Sequence, residues 1–252
     1  MRTIITLLLS ILLSPWAYSQ AVSDSAFITN QVYPAVVLLY SQDETGSMKM
    51  HCTATAIEKN PAGYVFVTAA HCASEDDVEK KRVQADVKKF FFVTFDERKD
   101  KTFVKAKLLA CGYQHAGDDF CLFQVDSQAQ IPVMPVGKDP VRYSGEAIAN
   151  VASPLGLGKQ VFRGTVSSPD LDRDVRVNDI NWQHTVLLQL PGTDGGSSGS
   201  AVVCLEQRAI CAFLVGIIDD TQIVAIPASR LVKFRQEVDS KTYKYWKAED
   251  QD

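Results

Sequence analysis

The most constraining feature of this chain is a succession of short apolar runs, none of them helix-length, each bounded by turn-forming residues. Segments 33–40, 64–68, 90–95, 102–110 and 121–125 form one series. Segments 147–152, 160–167, 185–190, 200–204, 210–218 and 222–226 form a second. They are rich in Val, Ile, Phe and Thr and separated by Gly, Pro, Asp or Asn, the signature of strands. Many short strands without alternating helices specify an all-β barrel or sandwich. The stretch 126–139, with Pro132 and Pro135, reads as a crossover between two halves. Only two stretches depart from this pattern. Segment 75–89 is highly charged and is read as a helix or a mobile loop. In segment 228–241, Leu231, Val232, Phe234 and Val238 line one face of a C-terminal helix.

With 46% apolar residues the 252-residue chain can build a sizeable core. Its formal charge of -4 and lack of a long basic run exclude a nucleic-acid partner, and the acidic end Glu249-Asp250-Gln251-Asp252 is a solvated terminus. The first residues differ in kind. Arg2 precedes an apolar run, Ile4 to Leu13, and Ala17-Tyr18-Ser19 places small residues at the two positions that a cut ahead of Gln20 requires. Residues 1–19 therefore read as a secretory signal peptide. The run is too short for a bilayer core that needs roughly 20 apolar residues, so no stable membrane insertion is expected after cleavage. The product is expected outside the cytoplasm, secreted or periplasmic.

Six cysteines follow that cut: Cys52, Cys72, Cys111, Cys121, Cys204 and Cys211. An even number in an exported chain points to disulfides, with fifteen possible pairings. Spacing suggests the short-range set 52–72, 111–121 and 204–211, each worth about 2–3 kcal/mol in the chain-entropy view. Neither Cys-x-x-Cys nor His-Glu-x-x-His occurs, so no metal and no cofactor is expected.

Chemistry is concentrated in three places. In Gly195-Gly196-Ser197-Ser198-Gly199-Ser200-Ala201, glycines on both sides allow a tight turn that aims two backbone N–H groups at one point. Ser198 is the candidate nucleophile, and the amides of Gly196 and Ser198 are the candidate oxyanion donors. Ser197 lacks a following glycine and Ser200 lacks the preceding turn. In Thr68-Ala69-Ala70-His71-Cys72, a histidine ends an apolar strand beside a cysteine that could anchor its backbone, as a general base requires. His51, His115 and His184 have no comparable setting and read as surface or packing residues. Asp119 opens Asp119-Phe120-Cys121-Leu122-Phe123, where a carboxylate can be buried at a barrel edge, while Asp118 points elsewhere. The order His, Asp, Ser is that of chymotrypsin, not that of subtilisin or the α/β-hydrolases.

On these motifs the chain resembles the trypsin-like serine peptidases, and within them the bacterial Deg/HtrA-type branch. The likeness extends to Ile131-Pro132-Val133-Met134-Pro135-Val136-Gly137, Ser153-Pro154-Leu155-Gly156-Leu157-Gly158, Gly164-Thr165-Val166-Ser167 and Ala225-Ile226-Pro227, in the expected order over most of residues 50–235. The resemblance implies two six-stranded antiparallel β-barrels packed face to face, with a cleft between them holding His71, Asp119 and Ser198. It assigns residues 20–130 to the first barrel, 131–241 to the second with its terminal helix, and 242–252 to a polar tail. It implies endopeptidase activity on polypeptides through an acyl-enzyme at Ser198.

Departures from the family pattern narrow the expectation. Ser197 stands where digestive proteases carry the aspartate that receives a new amino terminus, so that activation route is not expected. The tail leaves no room for a peptide-binding PDZ module, which removes the basis for Deg-like trimers and leaves the oligomeric state open. Thr193-Asp194-Gly195-Gly196 resembles glutamyl endopeptidases, yet the strand Gly216-Ile217-Ile218-Asp219-Asp220 lacks their histidine. Gly192, Thr193, Ile218 and Asp219 are the candidate substrate-binding residues. Gly192 at the base of the primary pocket would leave it uncharged and suited to a small or medium apolar side chain, while Asp194 or Asp219 either attracts a basic side chain or sits in a solvated turn. Two other readings are a catalytically silent binding protein on the same scaffold, and an esterase or lipase, which the all-β pattern opposes.

Overall fold

A computed structural model describes residues 15–85, 90–95, 102–138, 141–169, 175–177, 180–182 and 184–246. Most of the expected signal segment lies outside them. Helix α1 (Pro15–Phe27) runs through the position of the expected cut, and a π turn and the short α2 (Tyr33–Ala35) lead into the first strand.

Two closed six-stranded antiparallel barrels follow. The first contains β1 (Val36–Gln42), β2 (Met48–Asn60), β3 (Gly63–Thr68), then, outside the barrel, the hairpin β4 (Ser74–Asp77) and β5 (Arg82–Ala85), and finally β6 (Phe90–Thr94), β7 (Val104–Cys111) and β8 (Cys121–Val125). Its strands close in the order β1-β2-β3-β8-β7-β6. The second contains β9 (Ala147–Ala152), β10 (Gln160–Ser168), an external hairpin of β11 (Val175–Val177) and β12 (Ile180–Trp182), then β13 (Val186–Gln189), β14 (Ala201–Cys204), β15 (Ala209–Ile217) and β16 (Gln222–Pro227). It closes in the order β10-β13-β16-β15-β14-β9. Helix α3 (Ala228–Asp239) follows the last strand.

Strand alternation explains why the runs are apolar throughout. On β3, Tyr64 and Phe66 fill the first barrel, while Val65 and Val67 face outward into the layer between barrels. On β15, Ala212 and Leu214 enter the second barrel and Ile210, Phe213 and Val215 turn to the same intermediate layer. That layer also takes Phe120 and Leu122 of the first half, Leu231 and Phe234 of α3, and Ile28 and Val32 ahead of β1. Both faces of these strands are therefore buried.

Three expectations are corrected. Segment 75–89 is not a helix where it is described: residues 74–77 and 82–85 pair as a hairpin, its turn held by Lys80 N–H donating to Asp77 and by Lys80 and Arg82 beside the Asp77 carboxylate. Residues 86–89 lie outside the described set. Strand β2 is missing from the apolar runs, because its buried centre is built of Thr53, Ala54, Thr55 and Ala56, which carry little hydrophobic signal. The tail is not polar throughout where it is described: Tyr243 is buried, and Tyr245 and Trp246 pack against the cores, while the acidic end 249–252 lies outside the described residues.

The six cysteines are joined as Cys52–Cys72, Cys111–Cys121 and Cys204–Cys211, the set that spacing suggests. Phe120 is fully buried between the barrels, edge-on to Phe213 and tilted against Phe234. Phe120→Ala is expected to lower unfolding free energy by about 3–5 kcal/mol, measured by urea denaturation, with the far-ultraviolet spectrum of the native state preserved.

Candidate active site

β3 and β8 are paired up to Thr68 and Cys121, and beyond that pair each chain leaves the barrel. The β3 side turns into a single 3-10 turn, Ala70–Cys72, with His71 at its centre. The β8 side is entered through Asp119, which is completely buried. His71 donates its backbone N–H to Asp119 Oδ1 at 3.0 Å, and its Nδ1 lies 2.8 Å from Oδ2. An ionised carboxylate only accepts, so the ring carries its proton on Nδ1 and leaves Nε2 with a lone pair. The disulfide from Cys72 to Cys52 fixes this turn to β2. Asp118 points the other way, to Arg230 at 2.6 Å and to the Tyr243 hydroxyl at 3.1 Å.

Burial pulls the His71 pKa down, but the charge of Asp119 and its hydrogen bond outweigh that pull and set the imidazolium pKa above its ordinary 6.5. Burial pushes the Asp118 carboxyl up against the opposing pull of Arg230.

The glycine-rich turn is held against this couple by contacts between barrels. Thr53 N–H donates to Ser198 O at 3.1 Å, and Thr53 Oγ1 donates to Gly196 O at 2.8 Å. Thr53 Oγ1 also accepts from Ser153 N–H, and Thr68 Oγ1 donates to Thr53 O. A Cβ on Gly199 would lie 2.2 Å from Thr68 Oγ1 and 2.3 Å from Ala69 N, and Gly199 has φ +79°, so only glycine lets the turn approach the histidine segment this closely. Gly196, at φ +95°, is likewise crowded by Ser153 O.

Of the three serines, Ser197 and Ser200 are fully buried; Ser197 Oγ accepts from Asp194 N–H and Ser200 Oγ accepts from Asn150. Ser198 alone is partly exposed. Its hydroxyl and His71 Nε2 form no hydrogen bond among the described residues, an arrangement common in substrate-free sites, where such bonds tighten only on binding. The Gly195 carbonyl is turned away to accept from Leu155 N–H at 2.6 Å, and the Gly196 and Ser198 amides have no acceptor among the described residues.

The expected pocket residues lie near this turn. Gly192 (φ +87°) is exposed beside Phe162, and Ile218 is exposed. Thr193 is buried, its hydroxyl spent on Leu190 O. Asp219 accepts from Thr221 and Gln222 within its own turn, which holds its carboxyl below the usual range. Asp194 likewise accepts from Gly195 N–H. Among the described residues, the group suited by spacing to a metal is Cys52, His71 and Cys72, whose sulfurs are already joined to each other.

One histidine departs from expectation. His115 is not an idle surface residue: its ring Nδ1 lies 2.6 Å from Asp76 Oδ2. The two residues belong to no common motif, and no sequence signal linked them.

Two antiparallel barrels with a buried His–Asp couple beside a glycine-bounded serine turn define the class of chymotrypsin-fold proteins. A family model, the trypsin-like peptidase domain, matches residues 52–217, and the chain belongs to that family. No curated protein matches it.

Titration of the His71 ring, followed by NMR, is expected to give a midpoint above 6.5. In Asp119→Asn the midpoint should fall below that of the wild type, because burial remains and the compensating charge is gone. A wild-type midpoint under the ordinary value would contradict the electrostatics described.

Proposed function

We propose that this chain is an exported serine endopeptidase in which Ser198 is the nucleophile, His71 the general base and Asp119 the group that orients the imidazole. The observation that carries this reading is the double hold of buried Asp119 on His71, through the backbone N–H and Nδ1, which leaves Nε2 as the basic nitrogen, while Gly199 brings the turn with its one partly exposed serine against the segment that leads to His71. On attack, the Ser198 proton passes to Nε2 as Oγ bonds to the substrate carbonyl carbon. The carbonyl oxygen becomes an oxyanion facing the Gly196 and Ser198 amides, each worth about 2.7–4 kcal/mol to the transition state. The imidazolium then protonates the leaving amine, and water repeats the sequence to release the acyl group. Asp119 stabilises the imidazolium throughout.

The raised pKa of His71 suits a base that must hold a proton between the two transfers. Ser197 is buried and uncharged, which supports a site that does not wait for a newly cut amino terminus to form an ion pair. The three disulfides fit an oxidising compartment and, with the leader read from residues 1–19, support export. The stretches running from Ile131 to Gly137 and from Ser153 to Gly158 support a place near the Deg/HtrA branch. With Gly192 at its base, the primary pocket is read as suited to a small or medium apolar side chain, and the carboxylates of Asp219 and Asp194 are engaged within their own turns.

Ser198→Ala is expected to abolish cleavage of unfolded casein and labelling by a fluorophosphonate probe while leaving the melting temperature close to that of the wild type. A wild-type protein that is folded yet neither labelled nor active would instead identify a silent binding protein on this scaffold.

A further inference from the structure

The two segments that leave the first barrel beyond Thr68 and Cys121 are tied twice, and the second tie mirrors the first. His71 occupies the middle of the 3-10 turn Ala70–Cys72 and gives its backbone N–H and Nδ1 to Asp119 on the opposite segment. His115 occupies the middle of the 3-10 turn Gln114–Ala116 and gives its backbone N–H, at 3.1 Å, and Nδ1, at 2.6 Å, to Asp76 on the segment that follows His71. The histidine and carboxylate have exchanged strands, and the ties continue the antiparallel order of β3 and β8 past the end of their ladder. The Asp76 side chain is only 3% exposed and its Oδ1 takes no hydrogen bond among the described residues, so His115 supplies the hydrogen bonds that offset its buried charge.

The loop that carries Asp119 needs such a tie. Its base is closed by Cys111–Cys121 and by Gly112 N–H donating to Phe120 O, and its rear is held where Asp118 meets Arg230 and Tyr243. Toward the His71 segment, the loop's base also meets Ser74 Oγ through Cys121 Sγ at 3.9 Å, and its outer part is tied to Asp76. The outer ring lies tilted beside Tyr113, which itself stacks on Tyr245.

We propose that His115 and Asp76 are positioning residues, an outer His–Asp couple that holds the Asp119 loop in register with the His71 turn. The proposal rests on the endopeptidase reading for its kinetic consequence but not for its structural one. Both are measured on the full chain. A histidine Nδ1–H bonded to a carboxylate gives a low-field proton resonance, and the His71 signal is assigned by its loss in His71→Ala. In His115→Ala that signal is expected to broaden through faster exchange with water, and kcat for a peptide substrate to fall about tenfold or more with KM nearly unchanged, as misplacement of a catalytic group does. His115→Asn puts an amide N–H where Nδ1 stood and is expected to restore both. If His115→Ala does not fold, His115→Leu, which keeps bulk without a donor, takes its place with the same expected outcomes.

An unchanged signal and an unchanged kcat in the donor-less variant would overturn the proposal. So would a raised KM at constant kcat, which would make His115 a substrate contact. A wild-type protein that cleaves nothing, with a His71 signal that still responds to residue 115, would sink the endopeptidase reading and leave the outer couple standing.

Discussion

A carboxylate with no exposed surface cannot remain charged inside a protein unless other groups replace the water it has lost. Asp119 meets that requirement through the backbone and ring N–H groups of His71, and much of the architecture serves to keep this meeting in place. The Cys52–Cys72 bond fixes the histidine side, the Cys111–Cys121 bond fixes the aspartate side, and the β3–β8 ladder sets the distance between them. Adjacent Asp118 is separated from Asp119 in role by its own partner, Arg230 of α3. Two neighbouring acids are thus drawn in opposite directions by two cations, or potential cations, from different parts of the chain.

The second barrel contributes by approaching closely. Thr53 is the joint: its main chain takes the Ser198 carbonyl and the Thr68 hydroxyl, and its side chain meets Gly196 and Ser153. A single buried threonine therefore bonds the histidine strand, the glycine-rich turn and the loop that begins at Ser153. Hydrogen bonds of this kind are individually modest, but a buried partner left unsatisfied is costly, which is why the joint resists sliding.

The barrels were legible in the sequence because burial on both faces makes a strand apolar at nearly every position, as in Tyr64–Val67. What remained hidden had the opposite composition. Strand β2 bonds the other barrel through Thr53 and Thr55 and gives the first barrel's core only the small side chains of Cys52, Ala54 and Ala56. The β4–β5 hairpin carries seven charged residues from position 75 to position 82, which mask its pairing. The serine, histidine and aspartate motifs were readable because each has a local reason for its neighbours, whereas the His115–Asp76 pair spans 39 residues and has none. The aromatic tail was misread because Tyr243, Tyr245 and Trp246 are diluted by lysine, glutamate and aspartate.

That tail has a bearing on how the molecule is assembled over time. Tyr243 receives the Tyr113 amide proton and gives its own to Asp118, while the Tyr245 carbonyl accepts from Val83. The underside of the loop that carries Asp119 is thus completed by a residue 125 to 130 positions further along the chain. A chain still emerging from a ribosome or a translocation pore has both barrels' strands to hand before it has these rings, so the underside of the acid's loop cannot be completed until segment 243–245 has followed them.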